Sequence, residues 1–310
     1  MDIIETNFEQ LKKYNFKETV LTIGSFDGVH LAHKHIFKKM SSFSQNHKKI
    51  VITFDPHPLF VVNPKISDKN YLLTTMSEKF NLIKESNIDF LIVLKFDRKT
   101  SEISAENFLE KLLETFNPSY FVMGYNHHFG YNKKGNFDFV KKFVNENVKV
   151  IKVDKKNISS HSVSSTIIRD KIKNGNMKLA SELLGRDYNI EGIIIKGNGI
   201  GRKISFPTIN MFIKNEHKLK PPRGVYCVKV NLDNKSFKGM CNIGFRPTLT
   251  NDKEESIEVH IFNDDIIDNY HNKVMNIEFI SYIREEKKFK NLDLLKEQLQ
   301  KDKQHCLSIL

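Results

Sequence analysis

Cysteine occurs only three times in the 310 residues, at Cys227, Cys241 and Cys306. Three widely separated thiols, odd in number, exclude both a zinc spacing and a disulfide framework. They read as core or incidental cysteines of a protein kept in a reducing compartment. No apolar run approaches the length needed to cross a bilayer. The start, Met1-Asp2-Ile3-Ile4-Glu5-Thr6, has neither the basic residues nor the apolar centre of a signal peptide. A cytoplasmic protein with no membrane partner is expected. The sequence also lacks internal repeats, low-complexity segments and a basic tail. Its net charge of +12, from 49 basic and 37 acidic residues, is spread along the chain. Such charge suits several phosphate-bearing small ligands as well as nucleic acid. The nucleic-acid reading has only the charge in its favour, so no nucleic-acid partner is expected.

Hydrophobic residues make up 39% and charged residues 28% of the chain, which fits a globular protein rather than a disordered one. The length allows two domains with real cores. In the first half, short apolar runs at 19–24, 49–54, 90–94, 120–124 and 148–153 alternate with amphipathic stretches at 33–44, 77–86, 105–115 and 137–145. That alternation predicts an α/β, doubly wound parallel sheet. Ligands of such sheets sit beyond the carboxyl ends of the strands, and polar clusters begin there at 25–33, 55–58 and 124–130. From Tyr188 the period changes. Short β-rich runs at 189–196, 225–232, 237–243, 257–262 and 274–282 predict an antiparallel barrel or sandwich, closed by a helix at 292–301. The expected boundary lies near Gly185-Arg186, giving domains 1–185 and 186–310.

Four stretches carry chemistry. Residues 24–33, Gly-Ser-Phe-Asp-Gly-Val-His-Leu-Ala-His, form a strand-to-helix turn whose helix start presents unpaired N–H groups to an anion. His30 and His33, three apart, share a helix face and add donors that follow charge developing on a phosphate. A plain turn capped by His30 accounts for the same residues. A metal pair is less apt, because no third ligand lies at a suitable spacing. Next, Ser164-Ser165-Thr166 opens a helix with Arg169 one turn in. One hydroxyl suffices for a cap, whereas three with an arginine also suit a phosphate. Third, Gly197-Asn198-Gly199-Ile200-Gly201-Arg202 is a poor dinucleotide fingerprint because no helix follows it; its glycines let phosphates approach backbone N–H groups. Thr208 and Asn210, two apart on an expected strand, offer oxygen ligands suited to Mg²⁺, or are polar residues of an edge strand. Last, Glu258 is an acid within a strand, where Glu is depleted, so it is either solvent-facing or functional.

Taken in order, these motifs resemble those of the prokaryotic bifunctional riboflavin kinase/FAD synthetase family, from the first strand nearly to the C-terminus. Residues 24–33 are similar to the family's Gly-x-Phe-Asp-Gly-x-His-x-Gly-His, with Ala32 at the second-last position. Thr53-Phe54-Asp55-Pro56-His57-Pro58 follows. Asn126-His127-His128 stands where Asp-Phe-Arg is usual. The second half resembles the kinase loop ending in Phe-Pro-Thr-x-Asn, with Ser205 in place of glycine, and then Asn242-Ile243-Gly244, Glu258-Val259-His260 and Ile283-Arg284-Glu285-Glu286. The resemblance implies two reactions that share ATP as co-substrate. Riboflavin is phosphorylated to FMN with release of ADP, with Glu258 as general base, Thr208 and Asn210 on Mg²⁺ and ATP, and Gly197, Gly199, Gly201 and Arg202 around the nucleotide. FMN is then adenylylated to FAD with release of pyrophosphate. There His30 and His33 act on the transferring phosphate, Gly24, Phe26, Asp27 and Gly28 line the nucleotide, and Ser164, Ser165, Thr166 and the catalytic Arg169 hold the leaving pyrophosphate. His57, Pro58, Asn126, Phe129 and Arg284 are implied as flavin contacts. A monomer or weak homo-oligomer is expected. Three rivals stay open: a flavin-binding regulator without turnover, a nucleotidyltransferase for another substrate, and a basic nucleic-acid binder.

Overall fold

A computed structural model of the protein describes residues 1–63, 65, 70–158, 160–197, 201, 204–245, 255–262 and 270–310. Two compact units emerge, Met1–Ser165 and Thr166–Leu310. The sequence expectation put the division about twenty residues later.

The first unit is a six-stranded parallel sheet. Its strands are β1 (Asp2–Thr6), β2 (Thr19–Ile23), β3 (Lys48–Asp55), β4 (Phe90–Lys95), β5 (Pro118–Gly124) and β6 (Lys149–Val153). Their order across the sheet is β1-β4-β3-β2-β5-β6. Both faces are covered, which is why the strands read as continuous apolar runs rather than alternating ones. One face buries Leu21, Ile23, Ile52, Ile92 and Phe121 against Phe108, Leu109, Leu112 and Phe116 of α5 (Ala105–Phe116). The other buries Val20, Val51, Leu91 and Val122 against Ile36, Phe37 and Met40 of α1 (Leu31–Ser41) and Ile83 of α3 (Met76–Lys84). Short helices α2 (Pro58–Val62) and α4 (Arg98–Ser101) follow β3 and β4, and α6 (Phe137–Phe143) precedes β6.

Helix bounds follow local chemistry. Thr75 and Glu78 form a capping box at the start of α3. Ser104 caps α5, which ends at Asn117 in the left-handed conformation, φ 37°. Strand β1 has no counterpart in the sequence reading, because its side chains are mostly exposed at the sheet edge beside β4 and carry no periodic signal.

After the sheet come a two-stranded ribbon, β7 (Asn157–Ile158) with β8 (His161–Ser162), and helices α7 (Ser165–Lys173) and α8 (Met177–Leu184). The second unit is a closed barrel of β9 (Tyr188–Ile195), β10 (Ile209–Phe212), β11 (Gly224–Leu232), β12 (Lys235–Phe245), β13 (Glu255–Ile261) and β14 (Val274–Arg284). Its circular order is β10-β13-β12-β11-β14-β9, with every pair antiparallel. Of the two expected alternatives the barrel is found, because β9 pairs with β10 and leaves the sheet no open edge. Helix α8 packs on β14 and β9, which draws the helical pair into this unit.

The C-terminal helix α9 (Leu292–Ile309) runs eight residues beyond the expected end. Leu295, Leu299, Cys306 and Leu310 continue an apolar stripe onto the outside of the barrel, where Cys227, Met240 and Phe206 wait. Arg284 forks onto Asp302 of this helix at 2.7 to 3.1 Å. Asp302 is 2% exposed and also accepts from Gln298 Nε2 at 2.8 Å. Removing one partner of a buried pair leaves an uncompensated charge, so Asp302→Ala is expected to destabilise the barrel by about 3 kcal/mol. Asp233→Ala, which breaks an exposed pair with Lys273, is expected to cost under about 1 kcal/mol. Urea unfolding followed by circular dichroism measures both.

Candidate functional sites in the sheet and the barrel

In the sheet, strand order reverses between β2 and β5: β3 and β4 build to one side of β2, and β5 and β6 to the other. Such a switch point is where doubly wound sheets bind ligands. The β2–β5 ladder ends at Leu21 opposite Phe121, while β2–β3 continues to Ile23 opposite Ile52. Beyond Leu21 the tie between β2 and β5 is the Thr22 hydroxyl, which donates to the Val122 carbonyl at 2.8 Å.

The turn after β2 lies at this switch point. Three of its residues have left-handed backbone: Phe26 (φ 45°), Gly28 (φ 86°) and Val29 (φ 39°). Only the glycine adopts this freely; for a β-branched valine it is a true outlier, costing on the order of 1–3 kcal/mol. Buried bonds hold the turn. The Asp27 carboxylate accepts from the Leu73 and Thr74 N–H groups at 3.1 and 3.0 Å and from the Thr74 hydroxyl at 3.3 Å. The Gly28 N–H donates to Thr74 Oγ1 at 3.0 Å. Gly24 lies under the Phe26 ring, where a Cβ would come within 3.1 Å. Asp27 is therefore a clamp within the turn, 1% exposed.

The turn delivers both histidines to the start of α1. His30 caps the helix, its Nδ1 accepting from the His33 N–H at 3.4 Å. The rings stack at 3.5 Å between centroids, 18° apart. Accepting at Nδ1 leaves the proton of a neutral His30 on Nε2, so that nitrogen is a donor. The capping role and the placement of paired donors at a helix start hold together. Ser165, the first residue of α7, donates from Oγ to the Asp27 carbonyl at 2.8 Å. Arg169 lies one turn along α7 and is buried, while Thr166 is exposed.

Around the neighbouring strand ends, His57 caps α2 through Nδ1, at 3.3 Å from the Leu59 N–H. Its ring meets Phe60 and Tyr71 at 5.8 and 5.5 Å, and Pro58 is the first residue of that helix. Asn126 is exposed after β5. Phe129 occupies the core instead: it is 7% exposed, meets Phe108 at 5.7 Å, and lies so near Gly135 that a Cβ there would come within 2.6 Å of its ring. The tight 124–135 turn draws that ring inward through two bonds between Phe129 and Gly135, at 2.9 and 3.0 Å.

On the barrel, strand register builds the second constellation. Glu258 of β13 stands opposite Asn210 on β10 and opposite Asn242 on β12. Directly opposed residues of antiparallel strands share a face, so a carboxylate lies between two amides. Asn242 Nδ2 donates to Glu286 Oε1 at 3.3 Å. Gly197 lies against the Asn210 amide nitrogen, with no room for a Cβ, and a Cβ on Gly201 would run into the Phe206 carbonyl. Gly199 and Arg202 of the same motif lie outside the described residues.

Thr208 was expected on the strand with Asn210, but β10 begins at Ile209. His260 stations this edge, its Nδ1 lying 2.8 Å from the Pro207 carbonyl and its ring 5.1 Å from Phe206. Ser205, which stands where the resembled family has glycine, keeps a glycine-like φ of 63°. Arg284 is turned to Asp302 rather than to this face, because an aspartate buried under α9 needs its charge matched. The motifs contain Asn242, His260 and Glu286, to which the sequence assigns no role. Cross-strand register puts Asn242 beside Glu258, and no local pattern in the sequence signals it.

The oxygen donors Thr208, Asn210 and Glu258 match the preference of Mg²⁺. Among the described residues no group of three or more His, Cys, Asp or Glu side chains is placed to hold a metal.

Comparisons with known proteins cover both halves. A family model described as FAD synthetase matches residues 12–167, and one described as riboflavin kinase matches residues 184–310. The bifunctional riboflavin kinase/FMN adenylyltransferase of Bacillus subtilis is 32% identical over 306 residues, 97% of this chain and 96% of that protein. The protein of the same description from Buchnera aphidicola subsp. Schizaphis graminum is 35% identical, over 94% of each chain. A crystal structure described as a macrolide-efflux protein from Streptococcus pneumoniae superposes with a TM-score of 0.84 at 26% identity, over 98% of each chain. Among the described residues here no helix is long and apolar enough to cross a membrane.

His127 generates a pH dependence. Its Nδ1 is enclosed, and burial, aided by His128, pushes its pKa down to about 4. Unfolded, the imidazole titrates near about 6.5. The neutral ring's contribution is therefore fully present above that value and lost as pH falls from about 6.5 towards 4. The urea midpoint is expected to fall across that window, and to fall less steeply in His127→Gln.

Proposed function

The chain belongs to the bifunctional riboflavin kinase/FMN adenylyltransferase family, and from that premise we propose how its residues divide the two reactions. With ATP as co-substrate, the second half phosphorylates riboflavin to FMN and the first half adenylylates FMN to FAD. The proposed functional boundary is at 185/186, beside the start of the kinase match at residue 184.

In the kinase half, Glu258 takes the proton from the terminal hydroxyl of riboflavin as that oxygen attacks the γ-phosphorus and the bond to ADP breaks. The observation that carries this reading is the register setting Glu258 between Asn210 and Asn242 on one face. Asn210 and Thr208 would hold Mg²⁺, which supplies charge neutralisation on the phosphates. Gly197, Gly199, Gly201 and Arg202 are assigned to the nucleotide phosphates. Positioning and charge carry most of such a transfer.

In the adenylyltransferase half, an FMN phosphate oxygen attacks the α-phosphorus of ATP and the bond to pyrophosphate breaks. A phosphate dianion is already a nucleophile, so no base is required. His30 offers Nε2–H and His33 stacks against it, both at the positive end of α1. The turn at Gly24, Phe26, Asp27 and Gly28 shapes the nucleotide seat. Ser164, Ser165, Thr166 and Arg169 are assigned to the leaving pyrophosphate, and His57, Pro58 and Asn126 to the flavin. Phe129 and Arg284, implied as flavin contacts, are engaged instead by the core and by Asp302.

The same reading takes the protein as a cytoplasmic monomer or weak homo-oligomer acting on small flavins; its three buried free thiols support a reducing compartment.

Chromatography of the flavins formed from riboflavin, ATP and Mg²⁺ tests the division of labour. Glu258→Gln is expected to slow FMN formation about 100-fold while leaving conversion of added FMN to FAD intact, and His30→Ala to do the reverse. FMN formation near the wild-type rate in Glu258→Gln removes the general-base role.

A further inference from the structure

Lys79 belongs to none of the motifs above. It lies in the second turn of α3 and is 4% exposed, although a lysine is almost never so buried without partners. Its ammonium donates to the Ser25 carbonyl at 2.8 Å and reaches Thr53 Oγ1 at 3.4 Å. The Thr53 hydroxyl itself donates to the Ser25 carbonyl at 3.1 Å. Burial lowers the Lys79 pKa, opposed by the carboxylates of Asp27 and Asp55. Ser25 is the last residue before the left-handed run at Phe26, Gly28 and Val29. The turn is thus pinned at two points: by Asp27 to Leu73 and Thr74, and by Lys79 at the Ser25 carbonyl. Both pins end at one place, since Thr74 directly precedes Thr75, the cap of α3.

We propose that Lys79 is a positioning residue for adenylyl transfer: from α3 it holds the Ser25 carbonyl, and so fixes the strained turn that seats the ATP phosphates and aims His30 and His33. It touches neither ATP nor FMN. This rests on reading residues 24–33 as the phosphate seat. Because the turn aligns donors with phosphate oxygens, loosening it weakens the ATP complex more than the FMN complex. A small misplacement of such donors costs heavily in rate.

The test is steady-state kinetics of FAD formation from FMN in the full-length protein, with riboflavin phosphorylation in the same preparation as the control for folding. Lys79→Met, which keeps the length and loses the donor, is expected to raise KM for ATP about tenfold with KM for FMN within about twofold. The kinase reaction is expected to be unchanged. Lys79→Gln, which keeps a donor on a shorter arm, is expected to raise KM for ATP about threefold. A purely structural lysine would lower the active fraction and leave both KM values alone; that result overturns the proposal. If Lys79→Met is insoluble, Lys79→Gln decides by the same criterion. His30→Ala runs alongside: retained FAD formation there overturns the phosphate-seat reading itself, whatever the lysine variants show.

Discussion

The buried carboxylate of Asp27 is the constraint on which the first half depends. A chain leaving a central parallel strand has a few residues in which to turn and start a helix, and here it does so with Phe26 and Val29 in conformations that side chains disfavour. Backbone of that kind persists only where its surroundings over-determine it. Asp27 accepts three bonds from Leu73 and Thr74, its own carbonyl receives the Ser165 hydroxyl, and the neighbouring Ser25 carbonyl receives Lys79. These partners come from two parts of the chain, the start of α3 and the start of α7. The histidine pair at the start of α1 inherits its position from this arrangement.

The barrel solves a different problem. There, cross-strand register sets the Glu258 carboxylate between Asn210 and Asn242 on one face. Nearby, Gly197 leaves room for the Asn210 amide and Gly201 for the Phe206 carbonyl, and His260 lies at the Pro207 carbonyl. Behind this wall, α9 covers Cys227, Met240 and Phe206 and carries Asp302 to Arg284. The outer face of the barrel is thus apolar and sealed under the helix, and polar where Asn210, Glu258 and Asn242 stand.

Much of this was legible in the residues. Strands of the sheet appeared as apolar runs because both faces are buried, and the change of period at Tyr188 marked the barrel. The polar clusters at 25–33 and 124–130 fall on either side of the strand-order reversal. Edge strand β1 escaped notice because exposed side chains leave no pattern. The last turns of α9 escaped because its apolar stripe is interrupted by Asp302, a charge that makes sense only beside Arg284.

What the sequence by itself determined is therefore the kind of each element, the order of the motifs and the family to which the chain belongs. These are properties of short windows and of residues in series. The tertiary structure decided which of those residues meet. It took Phe129 into the core, turned Arg284 to Asp302, set Asn242 beside Glu258, and brought Lys79 across 54 positions to Ser25. The physical reason is that such meetings depend on strand order and register. These are fixed by burial of whole faces and by hydrogen bonds between distant segments, and local periodicity does not encode them.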